Sequence, residues 1–166
     1  MLRLGYNIDV VLMENLPNCI SALAEGSHLA QWRYKHGDRD QMPLEIRAIT
    51  DCSEWNEGVI NACAQNWARL LMETPANLMT PTIFCHTVTE MLEPIGVKCE
   101  TFNKDWIKRE KMGAFLSVAR GSDEEPKFLQ LEYNGPTAGN KKTVCLVGKG
   151  VTFDAGGISI KVVHYY

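Results

Sequence analysis

Thr143-Val144-Cys145-Leu146-Val147 runs directly into Gly148-Lys149-Gly150-Val151-Thr152-Phe153-Asp154-Ala155-Gly156-Gly157-Ile158-Ser159-Ile160-Lys161. The first five residues are apolar and rich in β-branched side chains, which predicts a buried strand. That strand delivers a lysine, an aspartate and a second lysine into one glycine-rich turn. Glycines there let the backbone approach closely or take positive φ. A group at the end of a sheet strand is where open α/β sheets place their chemistry.

Upstream, helices and strands alternate. Ser21 to Tyr34 groups Leu23, Ala24, Leu29 and Ala30 at near-helical spacing. A clearer helix begins with Asp51 or Ser53 as cap and brings Val59, Ile60, Cys63, Trp67, Leu70 and Leu71 to one face. Pro75 stops it. Thr80 caps the next helix with Pro81 at its first position, and it runs to about Leu92 before Pro94 and Gly96 end it. Val97, Cys99 and Thr101 alternate as a short strand, a short helix lies around Trp106 to Met112, and Phe128 to Tyr133 reads as another strand. Val10 to Met13 reads as a strand too, while Lys35 to Leu44 and Asn134 to Asn140 read as connections. The pattern predicts an α/β fold with a mixed or parallel sheet flanked by helices.

Composition excludes several classes of partner. Across 166 residues the formal net charge is -3, so there is no concentrated positive charge to recognise nucleic acid. No apolar run is long enough for a transmembrane helix, and Met1 to Asp9 lacks the pattern of a signal peptide. A soluble, cytoplasmic protein is expected, with no nucleic acid and no membrane. Cys19, Cys52, Cys63, Cys85, Cys99 and Cys145 form no CxxC pair and sit among apolar residues, which predicts buried free thiols. His28, His36, His86 and His164 show no metal-ligand spacing and read as surface or core residues.

The chemistry of the turn follows from its residue types. A divalent ion can favour the neutral amine of a lysine and use it as a nitrogen ligand, so Lys149 is a candidate ligand. Asp154 offers a hard oxygen able to bridge two ions. Lys161 can place an ammonium against a substrate carbonyl or a developing oxyanion. The competing reading makes Lys149 a surface or phosphate-binding lysine and Asp154 a loop cap. Gly148-Lys149-Gly150 lacks the GxxxxGK[ST] spacing, and Gly156-Gly157 does not complete GxGxxG.

The stretch from Val147 to Lys161 closely resembles the first metal-binding segment of the leucine aminopeptidases, two-metal peptidases also called cytosol aminopeptidases. Asn66-Trp67-Ala68-Arg69-Leu70-Leu71-Met72-Glu73-Thr74-Pro75-Ala76-Asn77, followed by Met79-Thr80-Pro81-Thr82, resembles that family's interdomain helix and entry to its catalytic domain. Met112-Gly113-Ala114-Phe115-Leu116-Ser117-Val118-Ala119-Arg120-Gly121-Ser122 resembles its next characteristic segment. Three matches in the right order make the resemblance specific, and it extends from roughly Ser21 to Lys161.

The resemblance implies Lys149 and Asp154 as metal ligands, Ser159 and Lys161 as substrate contacts, and Lys161 as the catalytic lysine. It implies two divalent ions, zinc with manganese or magnesium as alternatives, and hydrolysis of N-terminal amino acids from short peptides with a leucine-type preference. It also implies a homo-oligomer, the family's hexamer. The expected organisation is 1–52 as the remnant of a smaller N-terminal α/β domain and 53–76 as an interdomain helix. The first, incomplete part of the catalytic domain would then be 77–161, and 162–166 a tail outside the family pattern. The family's later metal-binding carboxylates and catalytic arginine have no counterpart after Asp154. The 166 residues alone are therefore expected to be inactive; the alternative role is association with full-length subunits.

Overall fold

The computed structural model describes residues 19–32, 46–48, 52–135 and 142–152. Within them the order is α1 (Ile20–Ala30), α2 (Ser53–Glu73), α3 (Pro81–Leu92), a 3-10 turn (Glu93–Ile95), β1 (Lys98–Phe102), α4 (Lys104–Arg109), α5 (Gly113–Ala119) and β2 (Phe128–Glu132). This is the expected α/β class. The paired strands form a two-stranded antiparallel sheet with Lys98 opposite Glu132 and Phe102 opposite Phe128. Contacts divide the chain into two units between Thr74 and Pro75.

In the first unit, α1 packs on α2 with the contacts advancing together along both helices. Gly58 lies against Ser21 and Ala24. Gln65 donates to Glu25, Asn66 Nδ2 to the His28 carbonyl at 3.3 Å, and Trp32 Nε1 to Glu73 at 3.4 Å. The two helices therefore run in the same direction. Their contact is tight because small residues line it. Ala24 and Ala62 are fully buried, and a Cβ on Gly58 would stand 2.1 Å from the Ser21 carbonyl oxygen.

That geometry corrects part of the face expected for α2, where Val59, Trp67 and Leu71 are half-buried but the other three are not. Ile60 is 67% exposed and Leu70 39% exposed, and Cys63 is exposed as well. The buried side carries Gly58 and Ala62. Apolar periodicity finds the widest greasy stripe, whereas close helix packing selects for the absence of side chain. The N-cap is Cys52, which makes no side-chain capping bond, and Ser53 is the first helical residue; Asp51 lies outside the described residues.

The second unit follows the sequence more closely. Thr80 caps α3 by accepting the Ile83 N–H at 3.4 Å, with Pro81 at the first position where its missing N–H costs nothing. Gly96 closes the following turn at φ 88°, a left-handed conformation that suits glycine. Asn103 caps α4 through the Trp106 N–H at 3.0 Å, and Asp105 at its start and Lys108 and Arg109 at its end complement the helix dipole. The helix expected around Trp106 to Met112 is α4, shifted toward the amino end, and α5 follows it as a second helix the sequence reading did not foresee. Lys111 takes φ 56° between them, and a left-handed residue cannot continue an α-helix.

An aromatic cluster covers one end of the sheet. Phe102 stacks on Trp106 with ring centroids 4.1 Å apart, and Trp106 lies 5.3 Å from Phe128. Phe115 of α5 reaches Phe128 at 6.4 Å, and Ile107 of α4 is fully buried. The expected strand at Val10 to Met13 and the connection Lys35 to Leu44 lie outside the described residues.

Candidate functional site

The strand expected at Thr143 to Val147 has no regular secondary structure. Val144 is 79% exposed, Leu146 91% and Val147 94%. The physical reason is pairing. A strand exists only where a neighbour completes its backbone hydrogen bonds, and among the described residues β1 and β2 pair only with each other. The apolar composition is right for a sheet interior; among the described residues no strand pairs with this segment.

Lys149 follows directly, with an exposed side chain on irregular backbone. Asp154, Ser159 and Lys161 lie outside the described residues. Among the described residues no group of three or more His, Cys, Asp or Glu is arranged to hold a metal ion. Of the candidate ligands Lys149 and Asp154, only Lys149 falls among the described residues, where its side chain is exposed.

The other stretches singled out by the sequence acquire structural roles. Asn66 and Arg69 of α2 reach the carboxyl end of α1. Asn66 Nδ2 donates to the His28 carbonyl, and Arg69 Nη1 donates to the Leu29 carbonyl at 3.3 Å and to Asn66 Oδ1 at 3.2 Å. Helix ends leave carbonyls without intrahelical donors, and a guanidinium is well suited to meet them. Sequence reading passed over this function because the two helices are far apart along the chain. The Met112 to Ser122 stretch forms α5, which anchors through Phe115 to the aromatic cluster.

A shallow open cleft of about 360 Å³, unforeseen from sequence, lies between α3, β1 and Lys127. Cys85 is nearly buried at its wall, and burial pushes its thiol above its ordinary range despite a hydrogen bond from Thr101 and the nearby Lys127 charge. A thiol held protonated is a poor nucleophile. Lys127 is engaged with Glu125 at 2.5 Å, and His86 with Glu90 at 3.2 Å on the exposed side of α3. The cleft thus presents no activated nucleophile.

The expectation of buried thiols also changes. All six cysteines are free, but only Cys85 is buried; Cys52 and Cys99 are half-buried, and Cys19, Cys63 and Cys145 are exposed. Apolar neighbours in sequence do not ensure cover: Cys63 is exposed although the adjacent Ala62 is fully buried, and Cys145 is exposed beside the equally uncovered Leu146.

Residues 66–165 match the model of the cytosol aminopeptidase family, catalytic domain. The chain is 44% identical over 145 residues to the cytosol aminopeptidase of Bos taurus, covering 84% of this chain and 28% of that protein. For the cytosol aminopeptidase of Xenopus tropicalis the identity is 43% over 165 residues, covering 96% and 32%. For that of Dictyostelium discoideum it is 50% over 153 residues, covering 83% and 29%. The chain therefore spans roughly three-tenths of the length of these curated relatives. Among solved structures, the bottromycin maturation enzyme BotP in complex with Mn is similar with a TM-score of 0.64 and 27% identity, over 78% of this chain and 29% of that one.

Proposed function

Because the chain belongs to the cytosol aminopeptidase family, we propose that it carries the first residues of a metallo-aminopeptidase site acting on the N-terminal residue of peptides. The single observation behind this reading is the ordered match of residues 66–165 to the family's catalytic domain, which includes the glycine-rich turn. In this reading Lys149 and Asp154 hold the metal, Ser159 contacts substrate, and Lys161 is the catalytic lysine. Two divalent ions, zinc with manganese or magnesium as alternatives, would supply Lewis-acid and activated-water chemistry when bound. The Mn complex of the similar solved structure favours divalent metal without deciding its identity.

The Lys161 ammonium has one clear task, to stabilise negative charge developing on the scissile carbonyl oxygen. An apolar N-terminal side chain, leucine above all, is the substrate proposed. The helix within 53–76 joins a smaller N-terminal domain (1–52) to the beginning of the catalytic domain (77–161). Homo-oligomeric assembly and a cytoplasmic setting complete the proposal. Relatives carry the name cytosol aminopeptidase, and no helix among the described residues is long and apolar enough to cross a membrane.

For the 166 residues by themselves we propose background hydrolysis, because Lys149 and Asp154 are two ligands and a well-held pair of ions needs more. Association with full-length subunits is the second reading, favoured by the exposed Val144, Leu146 and Val147. A leucyl amide assay with zinc or manganese tests the first point. Metal-dependent turnover by the purified chain, abolished in Lys161→Ala, would overturn it.

Site roles are tested in a relative-length protein carrying this sequence. Asp154→Ala is expected to lose most metal and Lys149→Ala to weaken one ion. Lys161→Ala should keep metal while kcat falls by roughly 10²-fold or more. Loss of metal in Lys161→Ala with full occupancy in Lys149→Ala would reverse the assignment of the two lysines.

A further inference from the structure

We draw no further inference here: the strongest candidate, the exposed apolar stripe of Ile60, Cys63 and Leu70 on the α2 surface away from Gly58 and Ala62, carries nothing because nothing in the structure shows what covers it.

Discussion

Gly58 and Gly26 are both helical glycines, and their surroundings give them opposite roles. A Cβ on Gly58 would meet the Ser21 carbonyl oxygen at 2.1 Å and the Ala24 side chain at 2.8 Å, while one on Gly26 would meet nothing within 4 Å. Gly58→Ala must push α1 and α2 apart and is expected to cost about 1–3 kcal/mol. Gly26→Ala removes only unfolded-state freedom and should stabilise by roughly 0.5–1 kcal/mol. Thermal or urea unfolding followed by circular dichroism compares the pair; equal effects would refute the close approach. Cys85 is the second residue with a definite expectation. Desolvation raises its thiol above the ordinary value of 9.0, outweighing the Thr101 hydrogen bond and the Lys127 charge. Iodoacetamide near pH 8 should modify exposed Cys63 and Cys145 at least about tenfold faster than Cys85. The folded protein holds this proton more tightly than the unfolded chain. The stability it contributes is therefore complete below the unfolded value and is lost as pH rises through the higher folded value. Cys85→Val should flatten that alkaline limb in a pH series of unfolding curves.

At the level of elements, two caps decide where helices begin. Thr80 accepts the Ile83 N–H and Asn103 the Trp106 N–H. Each satisfies a donor that the helix itself leaves open, and replacement by alanine is expected to cost about 1 kcal/mol. The Asn103 bond is 3.0 Å and the Thr80 bond 3.4 Å, so Asn103→Ala should be the more damaging. The amides of Ile83 and Trp106 report this directly through faster hydrogen exchange; unchanged exchange in both variants would refute the capping role. A further tie closes the loop before β2, where Glu125 accepts the Lys104 N–H at 3.1 Å and the Lys127 ammonium. The Lys127 bond leads the effects that hold the Glu125 carboxyl below its usual range. Its contribution is present above the unfolded carboxylate pKa and disappears as pH falls through the lowered folded value.

For the whole molecule, the described residues expose several large apolar side chains around a small buried core. Val144, Leu146 and Val147 stand exposed in one segment, and Ile60 and Met72 are each more than half exposed on α2. Patches of this kind promote association, and unpaired β-prone chain adds to it. The purified chain is expected to self-associate, with Leu146→Lys shifting it toward smaller species. Light scattering after size exclusion measures this; a monodisperse monomer at high concentration for the unsubstituted chain would refute the expectation.

Local signals carried far into this fold. Thr80-Pro81 starts α3 and Gly96 ends the turn after it, because hydrogen-bond capping, a fixed proline φ and a left-handed glycine act over a few neighbouring residues. The alternation Val97, Cys99, Thr101 located β1 for the same reason. The spaced segments beginning at Asn66, Met112 and Val147 are equally legible, and all three fall within the matched residues 66–165. Tertiary structure alone decided which face of α2 is buried, since the closeness of two helices depends on Gly58 and Ala62 meeting a partner remote in sequence. It alone decided the role of Asn66 and Arg69 at the end of α1, and the unpaired state of Thr143 to Val147. Composition makes a segment fit for a sheet, but hydrogen bonds to a second strand are what make it one.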